Sequence, residues 1–314
     1  MPELYRQMSA LLSQIIQKFP SVRPEDLEVL LVDDGSRDAS ASLMVEIHKK
    51  DPRFKIVQLS RNFGHQIAIT AGMEASIGDA TVIMDADLQD PPEVVLEMLA
   101  SWRSGNEIVY GVRTSRKGET WFKQKTAAAF YRLLVSLTDL KIPTDTGDFR
   151  LVDRRALDAF LALPERNRYV RGMMTWVGFK QAPVTFIRDE RFAGETKYPF
   201  RKMVRLALNA MVSFSDRPLK IALNLGLAIS LLSFLAGVWA VIAKLSGSYV
   251  VPGWTSLLVL VGFLGGVQLL VIGILGAYVG RIYDEVKGRP LYVVRRTYGL
   301  NTQSQPAARA VDTH

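Results

Sequence analysis

Two short stretches hold the residues best suited to chemistry. In "LLVDDGS", Asp33 and Asp34 end an apolar run; in "TVIMDADLQDPP", Asp85 and Asp87 do the same. A single aspartate has ordinary uses as a turn former or helix cap. That reading suits Asp38, and Asp90, which precedes Pro91 as a helix N-cap would. Four carboxylates at the ends of two apolar runs are harder to dismiss. Gathered in one cleft they repel one another and call for a cation. The chain has no cysteine, and its histidines, His48, His65 and His314, lie far apart in sequence. Oxygen ligands without thiolate or a histidine cage point to Mg²⁺ or Mn²⁺. Mg²⁺ usually keeps one or two carboxylates and completes its shell with water and substrate phosphate, so a diphosphate substrate follows. The sequence has no GxxxxGK[ST] and no GxGxxG after a strand, so neither a P-loop nor a dinucleotide fold has support.

The elements that must carry these acids alternate. Short continuous apolar runs predict strands at 29–32, 55–59, 80–84 and 108–112, and longer periodic segments predict helices at 4–19, 39–49, 66–76 and 93–104. Alternation of this kind implies an α/β domain with a mostly parallel, Rossmann-like sheet. Ligands of such sheets bind beyond the carboxyl ends of the strands. Two strands of one sheet are therefore expected to bring Asp33, Asp34, Asp85 and Asp87 to a common edge.

The second half of the chain is different. Residues 221–243 and 254–280 carry no charge, and each is long enough to span a hydrocarbon core of about 30 Å. Lys197, Arg201, Lys202, Arg205, Arg217 and Lys220 precede the first span, and Arg281, Lys287, Arg289, Arg295 and Arg296 follow the second. The connecting segment 244–253 has only Lys244. By the positive-inside rule both termini and the α/β domain are cytoplasmic and the connection is outside. Residues 199–218 mix basic and apolar side chains at helical spacing and are expected to lie along the membrane surface. The expected organisation is an α/β domain over 1–198, a juxtamembrane helix over 199–218, a two-helix hairpin over 219–281 and a basic cytoplasmic tail over 282–314. A net charge of +8 suits an anionic partner. The charge clusters beside the spans and no nucleic-acid motif appears, so nucleic acid is not the expected partner.

The segments "VDDGSRDAS", "LSRNFGHQIAITAG", "MDADLQDPPE", "YGVRTSR", "TGDFRLVDR" and "RFAGETK" occur in an order and spacing that resembles the family 2 glycosyltransferases with a GT-A fold, specifically the polyprenyl-phosphate type. These include dolichyl-phosphate mannose synthases and bactoprenol glucosyltransferases. The resemblance runs on through "SFSDRPL" before the first span and "GRIYDEVKGRPLY" after the second. It implies that Asp33 and Asp34 contact the nucleoside. Asp85 and Asp87, with Ala86 between them, hold the metal and diphosphate, and Gln89 is a further metal ligand. It also implies that Arg113 meets the donor phosphates and that Arg191 and Lys197 close over the diphosphate and the acceptor phosphate. Asp148, in "TGDF", corresponds to an acid that serves related enzymes as general base. With a phosphate acceptor, already ionised near neutral pH, that role contributes little, and orienting the site or balancing its cations is the other reading.

The resemblance therefore implies metal-dependent, inverting transfer of one sugar from a nucleoside-diphosphate sugar to polyprenyl phosphate at the inner membrane, with UDP-glucose and undecaprenyl phosphate favoured. It leaves room for a homo-oligomer. The alternative is a membrane-anchored, inactive subunit that binds nucleotide or lipid. A processive polysaccharide synthase would carry QxxRW, which this sequence lacks. Three departures stand out. The family usually opens with a strand and a "PxYNE"-like segment, whereas this chain begins "MPELYRQ", so roughly ten to fifteen further residues, about one strand plus its turn, are expected upstream. His65 and Gln66 stand where "KE" is commoner, and Ala277 replaces a frequent Glu.

Overall fold

The computed structural model describes residues 1–113, 146–187, 217–246 and 253–300. The chain forms two compact units, the second of which contains the two long C-terminal helices.

In the first unit, α1 (Pro2–Lys18) opens with Pro in its first turn and Glu3 near the positive end of the helix dipole, where Gln7 also binds the carboxylate. Leu4, Met8, Leu11, Leu12 and Ile15 form one buried stripe. The strand β1 (Val29–Asp33) runs parallel to β2 (Phe54–Leu59), with α2 (Ser40–Lys50) as the crossover. After β2 come α3 (His65–Ala75), β3 (Ala80–Ile83), α4 (Val94–Arg103), β4 (Ile108–Arg113), β5 (Thr146–Asp153), α5 (Arg154–Leu161), α6 (Val170–Trp176) and β6 (Gln181–Phe186). A last strand, β7 (Val294–Tyr298), follows the long helices.

The α/β layout follows the sequence, but the strands pair in two mixed sheets rather than one mostly parallel one. One sheet has the order β1-β2-β7 and the other β3-β5-β4-β6. The parallel pairs are β1–β2 and β4–β6; β5 lies antiparallel between β3 and β4, and β7 lies antiparallel to β2. The acids after β1 and β3 therefore do not lie on one sheet, contrary to expectation. They are joined through α3, which packs on β1, β2 and β3. A continuous core links the sheets as well, with Leu31, Phe54 and Ile56 of one and Val109, Phe149 and Leu151 of the other.

Two further corrections concern the ends of elements. The N-cap of α4 is Glu93, not Asp90: Val94 and Val95 donate their N–H groups to the carbonyls of Pro91 and Pro92, which moves the helix start past the prolines. Residues 294–298, assigned from sequence to the basic tail, return to the first unit as β7.

The second unit holds α7 (Arg217–Leu245) and α8 (Trp254–Val286). Both are long and apolar enough to cross a membrane. Leu223, Leu227, Leu232, Phe234 and Trp239 of α7 and Phe263, Leu269 and Ile272 of α8 are exposed. Residues 199–216 of the expected juxtamembrane helix and the loop tip between the spans lie outside the described residues, as do Arg191 and Lys197, while residues 217–218 begin α7.

Candidate active site

The end of β1 is built by its two aspartates. Asp33 is buried, and its carboxylate accepts the Ser36 N–H at 2.8 Å and Gln58 Nε2 at 3.3 Å. Asp34 accepts the Phe63 N–H at 2.7 Å on one oxygen and the Gly64 N–H at 2.9 Å on the other. The loop after β1 is thereby clasped to the loop after β2. Gly35 lies between them at φ +69°, and a Cβ there would come within 2.5 Å of the Arg61 backbone. Both the left-handed conformation and the close approach require glycine.

The clasp places the first residues of α3 over β5. His65 Nε2 lies 3.0 Å from Asp148 Oδ2 and 3.8 Å from Asp85 Oδ1, so one imidazole nitrogen stands between two carboxylates. A carboxylate only accepts, so the Nε2 proton belongs to the Asp148 bond. Gln66 donates Nε2 to Asp148 at 3.1 Å, and its Oε1 accepts the Val170 N–H at 2.8 Å, tying β5 to the start of α6. From α6, Arg171 reaches back with Nε 3.2 Å from Asp148 Oδ1 and donates Nη1 to the Thr146 carbonyl. Arg150, fully inside, donates to the carbonyls of Gly147 and Asp148.

This surrounding sets the electrostatics. Burial alone would raise the Asp148 carboxyl, but the His65 hydrogen bond and the Arg171 and Arg150 guanidiniums outweigh it and bring the pKa to about 2. Burial lowers Arg150 to about 10, against the pull of Asp148. The hydrogen bond to Asp148 raises His65, with Asp85 adding to it. With its pKa drawn down, Asp148 is ionised at neutral pH; His65 and Gln66 hydrogen-bond one oxygen, and Arg171 faces the other as an ion pair. A group with a pKa near 2 is a poor proton acceptor at neutral pH.

The segment after β3 forms the other wall. Asp85 is half-buried and Asp87 exposed, and the Gln89 N–H donates to Asp87 Oδ1 at 3.2 Å from a buried residue. Leu88, between them, has φ +57°, an uncommon conformation for a non-glycine residue, and such outliers gather at functional sites. Asp90 is only 1% exposed and faces Arg113 Nη2 at 3.7 Å. Arg113 in turn lies over Gly147: a Cβ at that position would meet its Nη2 at 2.6 Å.

The structure thus unites Asp85, Asp148 and the α3 start through His65, and sets Arg113 beside Asp90 and Gly147. Among the described residues no group of three or more His, Cys, Asp or Glu side chains gathers as a metal cage. Two carboxylates without a third suit a Mg²⁺-like ion that takes its other ligands from water and substrate phosphate, so Asp85 and Asp87 fit such an ion. His65, Gln66, Asp90, Arg150 and Arg171 were not expected in the site from sequence. The only hint was that His65 and Gln66 depart from the commoner pair; nothing local singles out Arg171.

Residues 2–161 match the family model described as glycosyl transferase family 2. The chain belongs to that family. It is similar to "Uncharacterized glycosyltransferase YkcC" of Bacillus subtilis, 52% identical over 89% of this chain and 86% of that one. It is also similar to "Uncharacterized glycosyltransferase sll0501" of Synechocystis, 46% identical over 87% and 86%. A third relative is the "Bactoprenol glucosyl transferase" of Shigella phage SfV, 39% identical over 89% and 91%. The protein is a glycosyltransferase, and members of its family typically use a divalent metal.

Proposed function

We propose that the protein transfers one sugar from a nucleoside-diphosphate sugar, UDP-glucose favoured, to a polyprenyl phosphate such as undecaprenyl phosphate, with inversion, at the cytoplasmic face of the inner membrane. The observation that carries this reading is the union, in one chain, of a family 2 glycosyltransferase unit with two long helices whose large apolar side chains face outward. A lipid-borne acceptor gives both parts a purpose. The similarity to a bactoprenol glucosyl transferase over 89% of the chain supports the same acceptor class.

In this reading Asp33 and Asp34 shape the nucleoside pocket, Asp34 through the backbone it holds. Asp85 and Asp87 bind Mg²⁺ or Mn²⁺ with the diphosphate, and Gln89 steadies Asp87 through its N–H. Held there by the two carboxylates, such an ion would supply positive charge to the departing diphosphate. Arg113, steered by Asp90 and Gly147, meets the donor phosphates; an Arg fork matches phosphate oxygens two at a time. Arg191 and Lys197 close over the diphosphate and the acceptor phosphate. The acceptor oxygen attacks the anomeric carbon in line with the leaving diphosphate. It is already ionised, so Asp148 removes no proton. Its charge instead holds His65 and Arg171 and keeps Arg150 neutralised inside the domain. The basic flanks of the spans support a topology with both termini in the cytoplasm, where nucleotide sugars are made.

The test is a panel of radiolabelled nucleotide sugars given to the purified protein with undecaprenyl phosphate and Mg²⁺. Label should enter the organic phase, most from UDP-glucose. Binding of nucleotide sugars without a lipid-linked product from any donor would overturn transfer in favour of an inactive binding subunit.

A further inference from the structure

We propose that Arg295, on the strand formed after the second long helix, is a donor-binding residue that completes the nucleotide pocket beside Asp33. The inference rests on the donor reading above and adds to it a contribution from the segment that follows the membrane spans.

The ladder between β2 and β7 is not regular. Gln58 pairs with Arg296, Leu59 pairs with Val294, and the register shifts between them, leaving Arg295 as the extra residue with nothing opposite. A bulge of this kind leaves one residue unpaired and re-aims its side chain, and such bulges are enriched beside active sites. The strand around it is held firmly. The Ser60 N–H donates to the Val293 carbonyl at 2.9 Å. Tyr292 is buried, and its hydroxyl donates to Glu74 Oε2 at 2.6 Å, so the segment is pinned to α3. Beyond the bulge, Thr297 and Tyr298 pair with Val57 and Ile56.

Arg295 lines a cavity of about 320 Å³ with Asp33, Gly35, Arg37, Gln58 and Arg61. The volume is at the small end of the roughly 300–1,000 Å³ usual for ligand sites. Arg61 is committed locally: it lies 4.1 Å over the Phe63 ring and donates to the Asn62 carbonyl. Among the described residues, no hydrogen bond, ion pair or ring contact engages the side chains of Arg295 or Arg37. The cavity thus offers carboxylate and carboxamide groups from Asp33 and Gln58, and two uncommitted guanidiniums. That combination matches a nucleotide, whose base offers N–H groups and carbonyl oxygens and whose phosphates accept only. Arg295 supplies a donor for those oxygens from a backbone position fixed on both sides.

The full-length protein in detergent, with Mg²⁺, is titrated with UDP and with GDP by calorimetry. The wild type should bind one of them. Arg295→Gln should weaken that binding about tenfold, the loss of one charge-assisted hydrogen bond. It should raise KM for the donor sugar nucleotide and leave KM for the lipid unchanged, with Arg295→Lys recovering part of the loss. Arg296→Gln, in regular register next door, should bind as the wild type does. Equal binding by wild type and by both Arg295 variants, at matched melting temperatures, overturns the inference and leaves the donor reading intact. Failure of the wild type to bind either nucleotide overturns the donor reading and this inference with it.

Discussion

Asp148→Asn separates a carboxylate that holds a site together from one that removes a proton. The substitution keeps shape and removes charge. The Asp148 carboxyl sits at about 2 against an ordinary 3.8. At about 1.4 kcal/mol per pH unit the difference is worth about 2.5 kcal/mol to the folded state. Because the folded pKa is depressed, this contribution is complete above 3.8 and is lost as pH falls towards 2, so it is fully present at neutral pH. The variant also leaves the buried Arg150 and the partly buried Arg171 without the carboxylate charge they share. Breaking a buried pair costs about 3–5 kcal/mol, so the two routes agree on a loss of roughly 2.5–5 kcal/mol. For a domain of this size that lowers Tm by about 5–20 °C. The assay is thermal unfolding of the detergent-purified protein near neutral pH, beside turnover measured well below both melting temperatures. The reasoning predicts a clear drop in Tm. An unchanged Tm with collapsed turnover would refute it and return Asp148 to the role of proton acceptor.

Four other outcomes are expected. EDTA should abolish transfer and Mg²⁺ or Mn²⁺ restore it, and Asp87→Asn should be inactive yet melt as the wild type does; activity of that variant in EDTA would remove the metal assignment. Gly147→Ala should displace Arg113 and raise KM for the donor about tenfold, because the new Cβ claims the space of the guanidinium, 2.6 Å away; an unchanged KM would detach Arg113 from the donor. Ser248→Cys should react with an impermeant thiol reagent in intact cells and Ser304→Cys should not, a clean comparison in a chain without native cysteine; the reverse pattern would invert the topology. Tyr292→Phe removes the hydrogen bond to Glu74 and should cost about 1–3 kcal/mol, read as a lower Tm; no change would mean that β7 docks without it.

Local elements were legible because their signals are local. A strand expected at 29–32 is found at Val29–Asp33 and one expected at 108–112 at Ile108–Arg113, since continuous apolar runs between turn residues leave little choice. Pairing was not legible. Nothing within "TGDFRLVD" states that it enters antiparallel between β3 and β4, and that insertion is what puts Asp148 under His65. The importance of Asp148 was visible in its motif, but its character depends on side chains from three separate segments, at 65–66, 150 and 171. The strand β7 shows the same limit from the other side. "VRRTY" reads as the positive flank of a membrane span, and the bulge at Arg295 breaks the two-residue alternation by which a strand is recognised. That irregularity both hid the strand and gave Arg295 its place beside Asp33. A local rule broken where neighbouring residues hold the backbone firmly is the kind of exception that function maintains.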